Sequence, residues 1–224
     1  MSELSDRGMK IYSLNEKNSI FNRFIAEMRD VQIQKDAMRF RRNMERIGEI
    51  FAYEISKTID YQPIEVTTPL GIATCNLPSD QVVIASILRA GIPLHNGLLN
   101  YYDQAQNAFI AAYRKYGKDN KFTIQLEYMA APNIDGKVLI LADPMLATGA
   151  SALLTYQYLL RKGTPKHCHF VAAIASKDGI DFLSRQLPKK GVTLWLGAVD
   201  EELTIKSFIV PGLGDAGDLA YGEK

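Results

Sequence analysis

Short apolar runs alternate with helix-forming stretches through the second two-thirds of the chain, and this alternation restricts the fold more than any other feature. The runs are Val82–Leu88, Ala108–Tyr113, Lys137–Ala142, His169–Ala175 and Val192–Val199. A run that is apolar at nearly every position needs cover on both faces, as the strands of a parallel sheet do. Between the runs, Gly91–Asn100, Ala150–Lys162 and Asp178–Gln186 have helical character, and Gly163 is a natural residue to end the second of these helices. The pattern predicts an α/β fold, a mainly parallel Rossmann-like sheet with helices on both faces. Phe122, Ile124, Leu126 and Tyr128 alternate with polar residues, which suits a half-exposed strand.

Upstream, Met44, Ile47, Ile50, Phe51, Glu54 and Ile55 have helical spacing, with Arg39, Arg41, Arg42 and Arg46 scattered around the same helix. Glu65–Cys75 reads as a hairpin around Pro69-Leu70-Gly71. There is no linker, repeat or low-complexity tract. The expected organisation is an N-terminal arm over residues 1–26 and one domain over residues 27–224.

Other features exclude whole classes. A net charge of +1 on 224 residues does not suit a broadly basic nucleic-acid binder. No strand is followed by GxGxxG, and GxxxxGK[ST] is absent, so a dinucleotide dehydrogenase and a P-loop NTPase are not expected. Cys75 and Cys168 lack metal-ligand spacing and read as buried free thiols in a reducing compartment. The start, MSELSDRGMK, has no apolar core of a signal peptide, and no run approaches the ~20 residues of a membrane span. A soluble cytoplasmic protein is expected. His95, His167 and His169 stand in no motif and read as core or surface residues.

In open α/β sheets, ligands sit beyond the carboxyl ends of the strands. The run Lys137–Ala142 is followed by Asp143, Pro144, Met145, Leu146, Ala147, Thr148, Gly149, Ala150 and Ser151, read as a loop opening a helix. Such a loop offers backbone N–H groups at the positive end of a helix dipole, a site for a phosphate monoester. Thr148 and Ser151 add hydroxyl donors, and Gly149 admits close approach. Asp143 cannot be there for phosphate; its carboxylate suits the hydroxyls of a sugar. The plain alternative is a strand–turn–helix with Ser or Thr as N-cap.

The run DPMLATGAS resembles the phosphoribosyl-diphosphate (PRPP) motif of uracil phosphoribosyltransferases. Ile87-Leu88-Arg89-Ala90-Gly91 resembles that family's diphosphate loop. Ile209-Val210-Pro211-Gly212-Leu213-Gly214-Asp215-Ala216-Gly217-Asp218 resembles its uracil-binding segment, which families that use PRPP with other bases lack. The similarity runs from about Met28-Arg29-Asp30 to the C-terminus. It implies a type I phosphoribosyltransferase fold with a flexible hood near Gln125–Pro132 and a small C-terminal base-binding region. It further implies PRPP contacts from Arg89, Arg114, the nine residues Asp143–Ser151 and Asp215. Uracil contacts would come from Ile209, Gly214, Asp215 and Ala216, with Asp143, Arg89 and Asp215 at the chemistry. The family usually has a second glycine where this chain has Ala150, and commonly a basic residue in the hood, where this chain reads QLEYMAAP.

Each residue also has a plainer reading. Arg89 could sit in a surface turn, and Arg114 could be a solvated charge beside Lys115 and Lys118. The segment at 208–218 could be a glycine-rich terminal turn. It lacks the oxygen-ligand spacing of a calcium loop.

The implied reaction converts uracil and PRPP to UMP and diphosphate in pyrimidine salvage. It needs alignment and charge stabilisation rather than a covalent nucleophile. Mg²⁺ would be carried mainly by PRPP, with no dedicated metal cage. The implied partners are these two small molecules and further copies of the chain, a homodimer or higher homo-oligomer. Activation by a nucleotide such as GTP is left open. The competing expectations are a nucleotide-sensing regulatory or RNA-binding protein on the same fold, and a phosphoribosyltransferase for another base.

Overall fold

The computed structural model describes the backbone of residues 2–6, 8–116 and 122–223, and the side chains of residues 8–111 and 127–223. The chain opens with strands β1 (Ser2–Asp6) and β2 (Met9–Ser13), then helices α1 (Phe21–Arg29) and α2 (Ala37–Ser56). A hairpin, β3 (Tyr61–Thr68) and β4 (Gly71–Pro78), leads to β5 (Val82–Leu88), α3 (Gly91–Leu99), β6 (Gln106–Tyr116) and β7 (Phe122–Ala130). Next come β8 (Val138–Ala142), the two-residue β9 (Met145–Leu146), α4 (Ala150–Leu159), β10 (His167–Ser176) and α5 (Lys177–Gln186). The chain ends with β11 (Val192–Asp200), the short pair β12 (Glu202–Leu203) and β13 (Ile209–Val210), and α6 (Ala216–Tyr221).

The main sheet has the order β1-β2-β11-β10-β8-β5-β6-β7, with β9 added on β10. The strands from β2 across to β6 run parallel, and the two outer strands, β1 and β7, are antiparallel to their neighbours. The expected mainly parallel α/β sheet is therefore present. Residues 9–13 of the N-terminal segment contribute one of its parallel strands.

Alternate residues of each central strand feed two cores. Val82, Ile84, Val138, Ile140, Val171 and Trp195 face α1, α2, α3 and the C-terminal segment. Val83, Ala85, Leu139, Leu141, Phe170 and Leu194 face α4 and α5. Burial on both faces explains why these strands read as unbroken apolar runs.

Helix α2 begins where Asp36 accepts hydrogen bonds from the amides of Met38 and Arg39, both at 3.0 Å, an N-cap that satisfies two otherwise orphaned donors. Its buried stripe, Phe40, Met44, Ile47, Phe51 and Ile55, recurs every three or four residues and lies on the sheet. Helix α4 gives way to a 3₁₀ turn at Leu160–Lys162, and Gly163 ends it at a φ of 131°. No helix among the described residues is long and apolar enough to cross a membrane.

Two expectations are corrected. Cys75 is only half-buried, because the β3–β4 hairpin leaves β3 exposed along its whole length and β4 nearly so; Cys168, by contrast, is fully buried. Burial pushes the Cys168 thiol well above its ordinary pKa. Strand β6 continues past Tyr113, where its apolar pattern stops, because its backbone goes on pairing with β7 as far as Tyr116 opposite Phe122.

Candidate active site

The sheet order reverses between β5 and β8. From β5 the chain moves outward to β6 and β7, then returns to place β8 on the other side of β5. Such a switch point opens a crevice at the carboxyl ends of the two strands, since their following loops turn apart. Ser86 of β5 pairs with Ala142 of β8. Arg89 and Asp143 thus follow neighbouring parallel strands at the same edge of the sheet.

The Asp143–Ser151 segment is more ordered by hydrogen bonding than the expected loop. The Asp143 amide donates to Val171 O at 3.0 Å, and the Ile174 amide to Pro144 O at 3.0 Å. Met145 and Leu146 then pair with Ile174 and Ala175 as strand β9. Only Ala147 to Gly149 form the turn. Ser176 Oγ donates to Ala147 O at 2.6 Å, tying that turn to the end of β10. Helix α4 follows directly from Gly149, so its first amides lie beside the turn.

Burial divides the segment. Pro144, Leu146 and Gly149 are buried, whereas Asp143, Met145, Ala147, Thr148, Ala150 and Ser151 are half-exposed. Any contact from Leu146 to a ligand would have to come from its backbone, since its side chain lies in the core under α4. The Asp143 carboxylate lies over its own turn, with Oδ1 3.4 Å from the Met145 amide. Thr148 Oγ1 faces the Ala150 amide at 3.4 Å.

Gly149 has a φ of 76°, which an L side chain rarely adopts, and a Cβ there would lie 3.0 Å from both Gly179 O and Phe182 Cδ1. The glycine is needed for the turn and for seating α4 on α5. Ala150 is the first residue of α4 and has no positive φ, so its methyl is compatible with the turn.

Arg89 lies just beyond β5. Its Nη2 donates to Asp218 Oδ1 at 3.0 Å and to Gly222 O at 3.2 Å. Its Nε is buried and has no hydrogen-bond partner among the described residues. Arg89 is therefore not a surface-turn residue, because it ties the end of β5 to helix α6. The side chain of Arg114 lies outside the described residues. Its backbone is inside β6, opposite Ile124 of β7, past the end of the apolar run Ala108–Tyr113.

The C-terminal segment is built on buried anchors. Ile209, Leu213 and Ala216 enter the core at no more than 5% exposure, while Gly214 and Asp215 are exposed. A base at Ile209 or Ala216 would meet mainly backbone. Asp215 caps α6, its Oδ1 accepting from the amides of Gly217 at 2.8 Å and Asp218 at 3.1 Å.

Three residues that sequence reasoning did not assign also bear on this edge. Asp218 holds Arg89; its signal was its place in the quoted C-terminal motif. Arg29 and Asp200 form a two-pronged ion pair, 2.8 and 2.7 Å, at the start of that segment. Nothing in the local sequence joins residues that far apart.

The histidines lie elsewhere. Trp195 Nε1 donates to His169 Nδ1 at 3.0 Å, and burial, helped by neighbouring His167, lowers the His169 pKa to about 3. His95 is buried and hydrogen-bonds Asn107 Oδ1 at 2.8 Å, with burial again lowering its pKa. A hollow of about 330 Å³ formed by α1 and α2 is lined by arginines, including Arg23 and Arg39, but none of the expected site residues lines it. Glu27 in its wall already pairs with both of these arginines.

A profile of the family Uracil phosphoribosyltransferase matches residues 16–223. A uracil phosphoribosyltransferase of Porphyromonas gingivalis is 55% identical over 216 residues, 96% of this chain and 100% of that protein. One from Pyrococcus furiosus is 36% identical over 216 residues, 95% of this chain and 90% of that protein. A solved structure of a protein from Aquifex aeolicus, 29% identical, superposes with a TM-score of 0.84 over 95% of this chain and 98% of that one. With three motifs in order around one switch point and a family match over nearly its whole length, the chain belongs to the uracil phosphoribosyltransferase family.

Proposed function

We propose that the chain transfers the phosphoribosyl group of PRPP to uracil, giving UMP and diphosphate, in the crevice between β5 and β8. The observation that carries this reading is the 3.0 Å link from Arg89 to Asp218. It joins the expected diphosphate loop to the expected base segment, beside the strand that ends in the Asp143–Ser151 cradle.

In this reading the α4 amides, Thr148 and Ser151 hold the 5′-phosphate, and Asp143 orients the ribose hydroxyls. Arg89, and Arg114 from the β6–β7 hood, hold the diphosphate, since a guanidinium offers a planar fork to phosphate oxygens. Gly214, Asp215 and the backbone at Ile209 and Ala216 read the base. The C1–diphosphate bond breaks as a ring nitrogen of uracil forms the new bond to C1. The diphosphate leaves with the bonding pair and takes up the proton that the nitrogen loses. The protein aligns the two substrates and disperses the charge that builds on the leaving group.

The residues at this edge fit a Mg²⁺ that arrives on its substrate. Asp143 stands at this edge as a hard oxygen donor. The ion would neutralise charge on the diphosphate, with substrate oxygens and water completing its shell. A cytoplasmic location and a homo-oligomer belong to the same reading. The β3–β4 hairpin supports association, with Leu70 100% and Ile72 71% exposed.

Purified protein given uracil, PRPP and Mg²⁺ should release UMP and diphosphate. Turnover with another base and none with uracil would overturn the substrate assignment and leave the reaction class standing.

A further inference from the structure

We infer that Arg29 and Asp200 are positioning residues for the base: they set the uracil-reading loop by gripping both backbone polar groups of Gly212. This rests on the reading of residues 209–216 as the base segment.

Asp200 ends β11 and is 6% exposed. Its two oxygens accept from Arg29 Nη1 at 2.8 Å and Nη2 at 2.7 Å. The same Nη1 donates to Gly212 O at 2.9 Å, and the Gly212 amide donates to Asp200 Oδ2 at 3.0 Å. One residue of the loop is thus closed into a ring of hydrogen bonds with an acid on the sheet and a base at the end of α1. Charge-assisted, two-pronged bonds of this kind fix direction as well as distance, and burial strengthens them.

Gly212 also stands at a φ of 55°, where a Cβ would run into Ile209 O. Ile209 and Leu213 enter the core on either side of it. The clamp therefore fixes the loop from Ile209 to Leu213 and leaves the exposed Gly214 and Asp215 projecting from a defined point. Because the N–H and C=O of Gly212 are both engaged, base recognition falls to the residues after it. The clamp's hydrogen bonds go to the base segment, so its loss should be felt more by uracil than by PRPP.

The test is steady-state kinetics on Asp200→Asn, Arg29→Lys and Gly214→Ala, titrating uracil and PRPP separately, with thermal melts of each. Asp200→Asn keeps the shape but loses the charge that holds the ring. It should raise the KM for uracil about tenfold and leave the KM for PRPP within about twofold, because lost positioning of one substrate appears in that substrate's binding. Arg29→Lys keeps the charge without the fork and should give a smaller rise, about threefold. Gly214→Ala perturbs the projecting loop directly and should also raise the KM for uracil.

If Asp200→Asn lowers only the melting temperature or the active fraction while Gly214→Ala raises the uracil KM, the clamp is merely structural and the proposal fails. If neither variant moves the uracil KM, the reading of the base segment fails instead. Should Asp200→Asn not fold, Arg29→Lys decides between the same outcomes.

Discussion

Replacing Gly149 by alanine isolates the turn on which the cradle depends. At a φ of 76° an L residue is strained, at about 1–2 kcal/mol. The added Cβ would also lie 3.0 Å from Gly179 O, 3.0 Å from Phe182 Cδ1 and 3.1 Å from Leu183 Cγ. One of these contacts is backbone, so helices α4 and α5 must separate by a few tenths of an ångström, and overpacking of this sort costs about 1–3 kcal/mol. The total is about 2–5 kcal/mol. A chain of this size loses about 2–4 °C per kcal/mol, so the melting temperature should fall by about 4–20 °C. Separating the helices also moves Thr148 and Ser151, so the KM for PRPP should rise while that for uracil changes less. The comparison variant is Ala150→Gly, one residue on, at an ordinary helical position. It should cost no more than about 1 kcal/mol. Thermal denaturation by circular dichroism, with kinetics on the folded variants, checks both. If Gly149→Ala melts within the range of Ala150→Gly, the packing and strain assigned to Gly149 are wrong.

Asp143→Asn should lower kcat/KM for PRPP at least about a hundredfold, about 2.7 kcal/mol of transition-state stabilisation, with the fold intact. Full activity in folded Asp143→Asn protein would make Asp143 structural. Arg89→Lys gives up the planar fork and should reduce kcat about tenfold or more, with a smaller effect on the KM for uracil; unchanged kcat would remove Arg89 from the leaving-group site. The buried His169 predicts an acid limit on stability. Its folded pKa, about 3, lies below the ordinary 6.5, so the unfolded chain takes up a proton that the folded chain refuses. Stability is fully present above about pH 6.5 and is lost as pH falls toward 3, by at most about 1.4 kcal/mol per pH unit for this one group. Urea midpoints measured from pH 7.5 to 4.5 should fall, and His169→Gln should flatten the decline; an unchanged slope would acquit His169.

The central sheet was legible because its strands are buried on both faces. Val82–Leu88 was bounded correctly by its apolar run alone. Where one face is open, the pattern failed: β6 runs on through Arg114 and Lys115 because an antiparallel partner, not burial, sustains it. Strand β9 was invisible, since two residues carry no period, yet it turns Met145 and Leu146 of the expected loop into sheet. The cradle's position after a buried strand could be read locally, as could the value of Gly149. The ties that assemble the site could not. Arg89 to Asp218 and Arg29 to Asp200 join residues far apart in the chain, and no local pattern encodes them. The hairpin's sequence told of two strands but not that they leave the body, which is why Cys75 was expected to be buried.

A crystal structure with UMP bound bears most directly on the proposal that the three motifs make one site. The phosphate should lie against Thr148–Ser151 and the first amides of α4, the ribose hydroxyls at Asp143, and the pyrimidine against Gly214–Ala216, with Gly212 still held by Asp200 and Arg29. UMP bound away from the crevice between β5 and β8, or with its base turned away from the 209–216 segment, would contradict it.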